Sequence, residues 1–142
     1  MSAAENGKLM QDVFAAIAAG NRTVFVDTLA DDVTLRVTGS NSWSRTFTGK
    51  ASVLRDLYGY LNTLLAEGRR TVAHRFIADG DHVVVEARGD MMTKAGVRYD
   101  NEYCLVYRFA DGKIVEIREY LDSALCEEVL GEFPVAKIPV AI

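Results

Sequence analysis

Apolar residues recur along the chain with two different periods. From about 8 to 19, Leu9, Met10, Val13, Phe14 and Ile17 fall three or four residues apart, which predicts an amphipathic helix. Gly20-Asn21 supplies its stop signal. A second, shorter helix is expected over 22–30, with Val24, Phe25 and Leu29 inward and Asp31-Asp32 ending it. VTLRV then starts a first strand at 33–38, and the polar run GSNSWSRTFTG at 39–49 reads as a loop around Trp43. Residues 51–67 predict the longest helix. Its buried stripe is Val53, Leu54, Leu57, Tyr60, Leu61, Leu64 and Leu65, and Gly68 closes it.

Beyond residue 69 the period changes to two. Strands are expected at about 70–78, 82–93, 97–109 and 113–121, with Asp79-Gly80, Lys94-Ala95-Gly96 and Asp111-Gly112 as turns. Asp122-Ser123 can cap a last helix, ALCEEVL, which Gly131 stops. The tail FPVAKIPVAI is too apolar for a solvated linker and is expected to pack on the body or on a second subunit. Helices segregated from an antiparallel meander make an α+β domain. No repeat, low-complexity run or linker divides residues 1–142, so one domain is expected.

Alternation also exposes a misplaced charge. In IVEIREYLD (114–122), Val115, Ile117, Glu119 and Leu121 share one face, which is apolar except for Glu119. A carboxylate on such a face must neutralise, find a partner or face a cavity, unless the strand end frays into solvent. If buried, its pKa rises toward neutrality, which suits a general acid or base. In the strand at 82–93, Val83, Val85, Ala87 and Gly89 share one face. Val84, Glu86, Arg88, Asp90 and Met92 share the other, which pattern alone assigns to solvent. The strand at 97–109 carries Tyr99, Asn101, Tyr103, Leu105, Tyr107 and Phe109 on one side.

Composition narrows the function classes. With 49% hydrophobic and 25% charged residues, the chain reads as a soluble globular protein. A net charge of −4, with Arg69-Arg70 the only adjacent basic pair, argues against nucleic acid. No secretory signal or membrane span is apparent, and Cys104 and Cys126 read as free thiols, so a cytoplasmic setting is expected. No P-loop, GxGxxG, CxxC or HExxH occurs, and His74 and His82 have poor metal-ligand spacing. No metal or cofactor is therefore expected.

The aspartate step at Asp31-Asp32-Val33, FTGKASV opening the long helix, and YDNEY…RFADGKIVEIREYLD near the end resemble the SnoaL-like branch of the NTF2-like superfamily. The resemblance covers about residues 8–131. It implies a cone in which a curved antiparallel sheet wraps a long helix and encloses an apolar pocket. It also implies a homodimer formed through the sheet face, and a small apolar ligand. Ketosteroid isomerases, polyketide cyclases and limonene epoxide hydrolases are members. By resemblance to the hydrolases, Arg88, Asp90 and Glu119 would form one catalytic constellation. Glu119 would be the acid/base, Arg88 would orient it, and Asp90 would pair with Arg88. The tyrosine and asparagine that hold water in those hydrolases are replaced by Leu35 and Val37, with Trp43, Asn101 or Tyr103 as possible substitutes. The tyrosine that ketosteroid isomerases carry on the first helix has no counterpart, and Phe14 stands in a pocket position. The polyketide cyclases use the acidic residue of the same closing strand, which Glu119 matches. The cavity is expected to be lined by Phe14, Ile17, Trp43, Tyr60, Leu64, Met92, Asn101, Tyr103 and Leu121. The competing expectation is a non-catalytic ligand-binding or dimerisation module in which the charged trio is a structural ion-pair network.

Overall fold

The computed structural model describes residues 1–134. Helix α1 (Ala3–Ala18) starts five residues earlier than periodicity suggests, because Ser2 and Glu5 form a reciprocal capping box. Helix α2 is Thr23–Thr28, and strand β1 (Leu29–Val37) follows it directly. A short strand β2 (Thr46–Thr48) lies in what the sequence reads as loop. The long helix runs through three consecutive segments: α3 (Lys50–Ser52), a π-helical stretch (Val53–Tyr58) and α4 (Gly59–Leu64). Strands β3 (Arg70–Asp79), β4 (His82–Asp90), β5 (Glu102–Ala110) and β6 (Lys113–Leu121) form the meander, and α5 (Ser123–Leu130) follows, capped by Asp122. No helix among the described residues is long and apolar enough to cross a membrane. Cys104 and Cys126 are both free thiols.

One curved, unclosed sheet holds all six strands in the order β2-β1-β6-β5-β4-β3. The expected antiparallel sheet needs one correction, because β1 pairs with β6 in parallel, with Val37 beside Glu119. A second correction concerns the strands at 82–93 and 97–109, which stop at Asp90 and start only at Glu102. Residues between them form a loop held by isolated bridges, Met92 to Arg98 and Leu65 to Thr93. The third lies in β6. Its register with β5 shifts between Arg108 and Phe109, so that Phe109 faces Ile114 and Arg108 faces Glu116. Val115 is the extra residue, as in a β-bulge, and Ile114 rather than Val115 is fully buried.

The core fills the space between the concave sheet face and the helices. Leu35, Ile117, Val83, Val85, Met10 and Val13 are among its fully buried members. The tail expectation falls mostly outside the described residues, but its first two, Phe133 and Pro134, are described. Phe133 is buried and stacks edge-on against Trp43, Phe47 and Tyr60.

Candidate active site

The concave side of the sheet and the long helix leave a cavity of about 300 Å³ between them. Its sheet wall follows from strand parity. Across the sheet, Phe76 pairs with Val85, Val85 with Leu105, Leu105 with Glu119 and Glu119 with Val37, all on the inner face. Glu119 therefore enters the cavity in the middle of an otherwise apolar row, two residues from Ile117 and Leu121, which also line it. The strand does not fray here. Thr38 donates both its backbone N–H (3.0 Å) and its hydroxyl (2.9 Å) to the Glu119 carbonyl.

The Glu119 carboxyl borders the cavity, and its residue is half-buried. It has no hydrogen-bond or ion-pair partner among the described residues. Burial pushes its pKa from 4.5 up to about 7, without any compensating charge. Tyr58, Tyr103 and Tyr107 all line the same cavity, and the negative charge of Glu119 helps hold each of their protons. Burial is the main cause for all three, so the hydroxyls remain donors throughout the usual pH range. Burial likewise pushes the Cys126 thiol up to about 11, which makes it a poor nucleophile.

The structure brings only part of the expected constellation together. Glu119 is inside, but Arg88 and Asp90 lie on the convex face, as strand alternation assigns them. Arg88 sits opposite Glu102 across β4 and β5 and pairs with its carboxylate at 3.3 Å. Asp90 pairs with Arg98 at 2.6 Å, and Arg98 also bonds Asp100 at 2.6 Å. Arg88, the expected partner of Glu119, and Asp90, the expected partner of Arg88, are thus exposed and engaged elsewhere. The reason is the two-residue period of β4, which cannot present Ala87 and Arg88 to the same side.

Of the expected lining, Phe14, Ile17, Trp43, Tyr103 and Leu121 border the cavity. Tyr60, Leu64, Met92 and Asn101 do not. The apolar stripe of the long helix is wide enough to serve two surfaces. Leu54, Leu57, Tyr58, Leu61 and Leu65 face the cavity, whereas Tyr60 turns toward Trp43 and Phe133. Met92 lies beyond the end of β4 and is partly exposed. Asn101 is wholly buried and structural. Its Nδ2 donates to the Tyr99 hydroxyl and the Asp122 carbonyl, both at 3.0 Å. Its Oδ1 accepts from the N–H groups of Glu102 and Asp122 at 2.8 and 3.1 Å. On β1, Leu35 is buried in the core and Val37 lines the cavity, so neither offers a side-chain hydrogen bond to a water.

Sequence reasoning missed several cavity groups. Tyr58 sits beside Leu57 within the helical stripe, so its inward position was readable. Arg22 and Arg69 also line the cavity. Their meeting was not readable, because Arg22 Nη2 reaches the Arg69 carbonyl across 47 residues of sequence, at 3.4 Å.

Several solved structures share this architecture. An NTF2-like protein of unknown function from Burkholderia pseudomallei K96243 superposes with a TM-score of 0.76 at 21% identity, covering 92% of this chain and 98% of that one. A protein from Jannaschia sp. CCS1, described as a SnoaL-like polyketide cyclase, gives 0.72 at 16% identity, with 92% and 94% covered. A protein from Kribbella flavida DSM 17836, described as a ketosteroid isomerase, gives 0.63 at 18% identity, with 82% and 77% covered. No curated protein matches the chain. These similarities establish the NTF2-like fold. The family model for the SnoaL-like domain matches residues 10–117, from the first helix into the last strand, and the chain belongs to that family.

Proposed function

We propose that the cavity is a cofactor-independent active site for proton transfer on a small, mostly apolar carbonyl compound, with Glu119 as the acid/base. The observation that carries this reading is the Glu119 carboxyl itself. It lies in a largely apolar cavity, has no hydrogen-bond or ion-pair partner among the described residues, and is poised by burial at a pKa of about 7. A carboxyl near that value can take a proton from a carbon beside a carbonyl and return it at neutral pH. The Tyr58 and Tyr103 hydroxyls are the donors available to the enolate oxygen that develops. Proton abstraction of this kind serves isomerisation and cyclisation alike. Epoxide hydrolysis is disfavoured, because Leu35 and Val37 hold no attacking water. Solved neighbours described as a polyketide cyclase and a ketosteroid isomerase support the same pair of reaction classes.

The test is deuterium incorporation from heavy water, followed by NMR, into 1,3-diketones and β,γ-unsaturated ketones. Wild type should catalyse exchange, and Glu119→Gln should lose at least about 10²-fold. No exchange in wild type across that series, or undiminished exchange in the variant, refutes the reading.

A non-catalytic binding module is the second reading. It is favoured by the absence of any charged residue orienting Glu119 among the described residues. It predicts saturable binding of the same ketones without exchange. A homodimer through the convex sheet face also belongs to our reading, supported by exposed Val72, Ile77 and Tyr120 on that side. Light scattering that gives a monomer at micromolar concentration refutes it.

A further inference from the structure

Two arginines line the cavity without an acidic partner. Arg22 enters from the turn between α1 and α2, and Arg69 from the residue just before β3. Neither forms an ion pair with a carboxylate of the described residues. Arg22 donates to the Arg69 backbone carbonyl, which leaves most of its fork unused. The Arg69 Nη2 is fully buried and has no hydrogen-bond partner among the described residues. A buried guanidinium donor without a partner is costly, and a second cation beside it adds repulsion. Such an arrangement is expected where a bound anion completes the site, since paired guanidinium forks match the two oxygens of a carboxylate.

Building on the acid/base reading of the same cavity, we propose that the natural ligand is amphipathic, with a carboxylate held by Arg22 and Arg69 and an apolar body that reaches Glu119. The electrostatics agree with this division. Burial first and Arg22 second lower the Arg69 pKa to about 10, so the pair is under strain that an anion relieves. Tyr58 is influenced by Glu119 and by both arginines, whereas burial alone sets Glu119. Arg22, Arg69, Tyr58 and Glu119 all line the one cavity, and the protein makes no ion pair between the arginines and Glu119 among the described residues. A ligand can be anchored at one centre and react at the other. The remote charge then orients the reacting carbon and excludes neutral analogues.

The experiment compares 2-naphthoate with its uncharged methyl ester by isothermal titration calorimetry. Wild type should bind the acid at least about tenfold more tightly than the ester. Arg69→Gln and Arg22→Gln should each reduce that preference severalfold while ester affinity stays constant, which also shows that the variants are folded. Arg69→Lys should retain part of it, because charge is kept and the planar fork lost. Glu119→Gln should leave the preference in place. Equal binding of acid and ester in wild type, or an unchanged preference in both glutamine variants, overturns the carboxylate proposal and leaves the proton-transfer reading standing. Binding of neither compound also overturns the carboxylate proposal, while the proton-transfer reading stands or falls on ketone exchange.

Discussion

Tyr58, on the long helix, and Glu119, on the sheet, present their acidic groups to one cavity, and the charge of Glu119 is one reason the Tyr58 hydroxyl keeps its proton. Tyr58 is also edge-packed on Phe25, with ring centroids 6.0 Å apart, so its ring position does not depend on the hydroxyl. Tyr58→Phe should therefore fold normally and lose roughly 10²-fold in turnover, the typical effect of deleting one donor to a developing oxyanion. Thermal melts should superpose on wild type while ketone exchange slows.

Glu119 should leave its mark on stability as a function of pH. Burial raises its pKa from 4.5 to about 7, so the folded state binds this proton more tightly than the unfolded chain. The resulting stabilisation is complete below the unfolded pKa and is lost as pH rises through about 7. Glu119→Gln removes that slope. The variant should exceed wild type above neutrality by an amount on the order of 2–3 kcal/mol, and the difference should shrink toward acid. Denaturant melts of both proteins between pH 5 and about 8.5 read it directly. In the same range, exchange by wild type should rise with pH as the carboxyl ionises into a base.

The convex-face pairs should be nearly silent. Arg88 with Glu102 and Asp90 with Arg98 are exposed on both sides. Arg88→Ala or Asp90→Ala should cost no more than about 1 kcal/mol and leave cavity ligand affinity unchanged. A hundredfold loss of exchange in Arg88→Ala would instead place the arginine in the chemistry.

Asn101 should be the costly polar residue. Its side chain is wholly buried and satisfies two donors and two acceptors. Asn101→Leu leaves those groups bare, and a loss of roughly 2–4 kcal/mol is expected from chemical denaturation.

Periodicity made most of the architecture readable, since the strands of the meander announce their inner face by alternation except where bulges interrupt β3 after Ala73 and β6 at Val115. Alternation alone put Glu119 inside and Arg88 and Asp90 outside. The resemblance to epoxide hydrolases drew the last two inward, against the strand's own geometry. Tyr60 and Leu64 show a different limit. A helical stripe marks what is covered, not whether sheet, tail or cavity covers it. Met92 and Asn101 were projected from strands that had already ended, and parity carries no information through a loop. Three-residue β2, the parallel neighbour of β1 and the meeting of Arg22 with Arg69 all depend on contacts distant in sequence, which no local pattern encodes.

The parallel pairing of β1 with β6 bears on how the molecule is made. Thr38 and the Glu119 carbonyl it holds are 81 residues apart. During synthesis β1 emerges early and must wait for β6 with only the three residues of β2 beside it. Its open edge is therefore a hazard for association with other chains until the last strand arrives. Closure of that pair is a long-range, slow step. The same step brings the carboxyl beneath the helix, so a nascent chain acquires its cavity chemistry only when folding is nearly over.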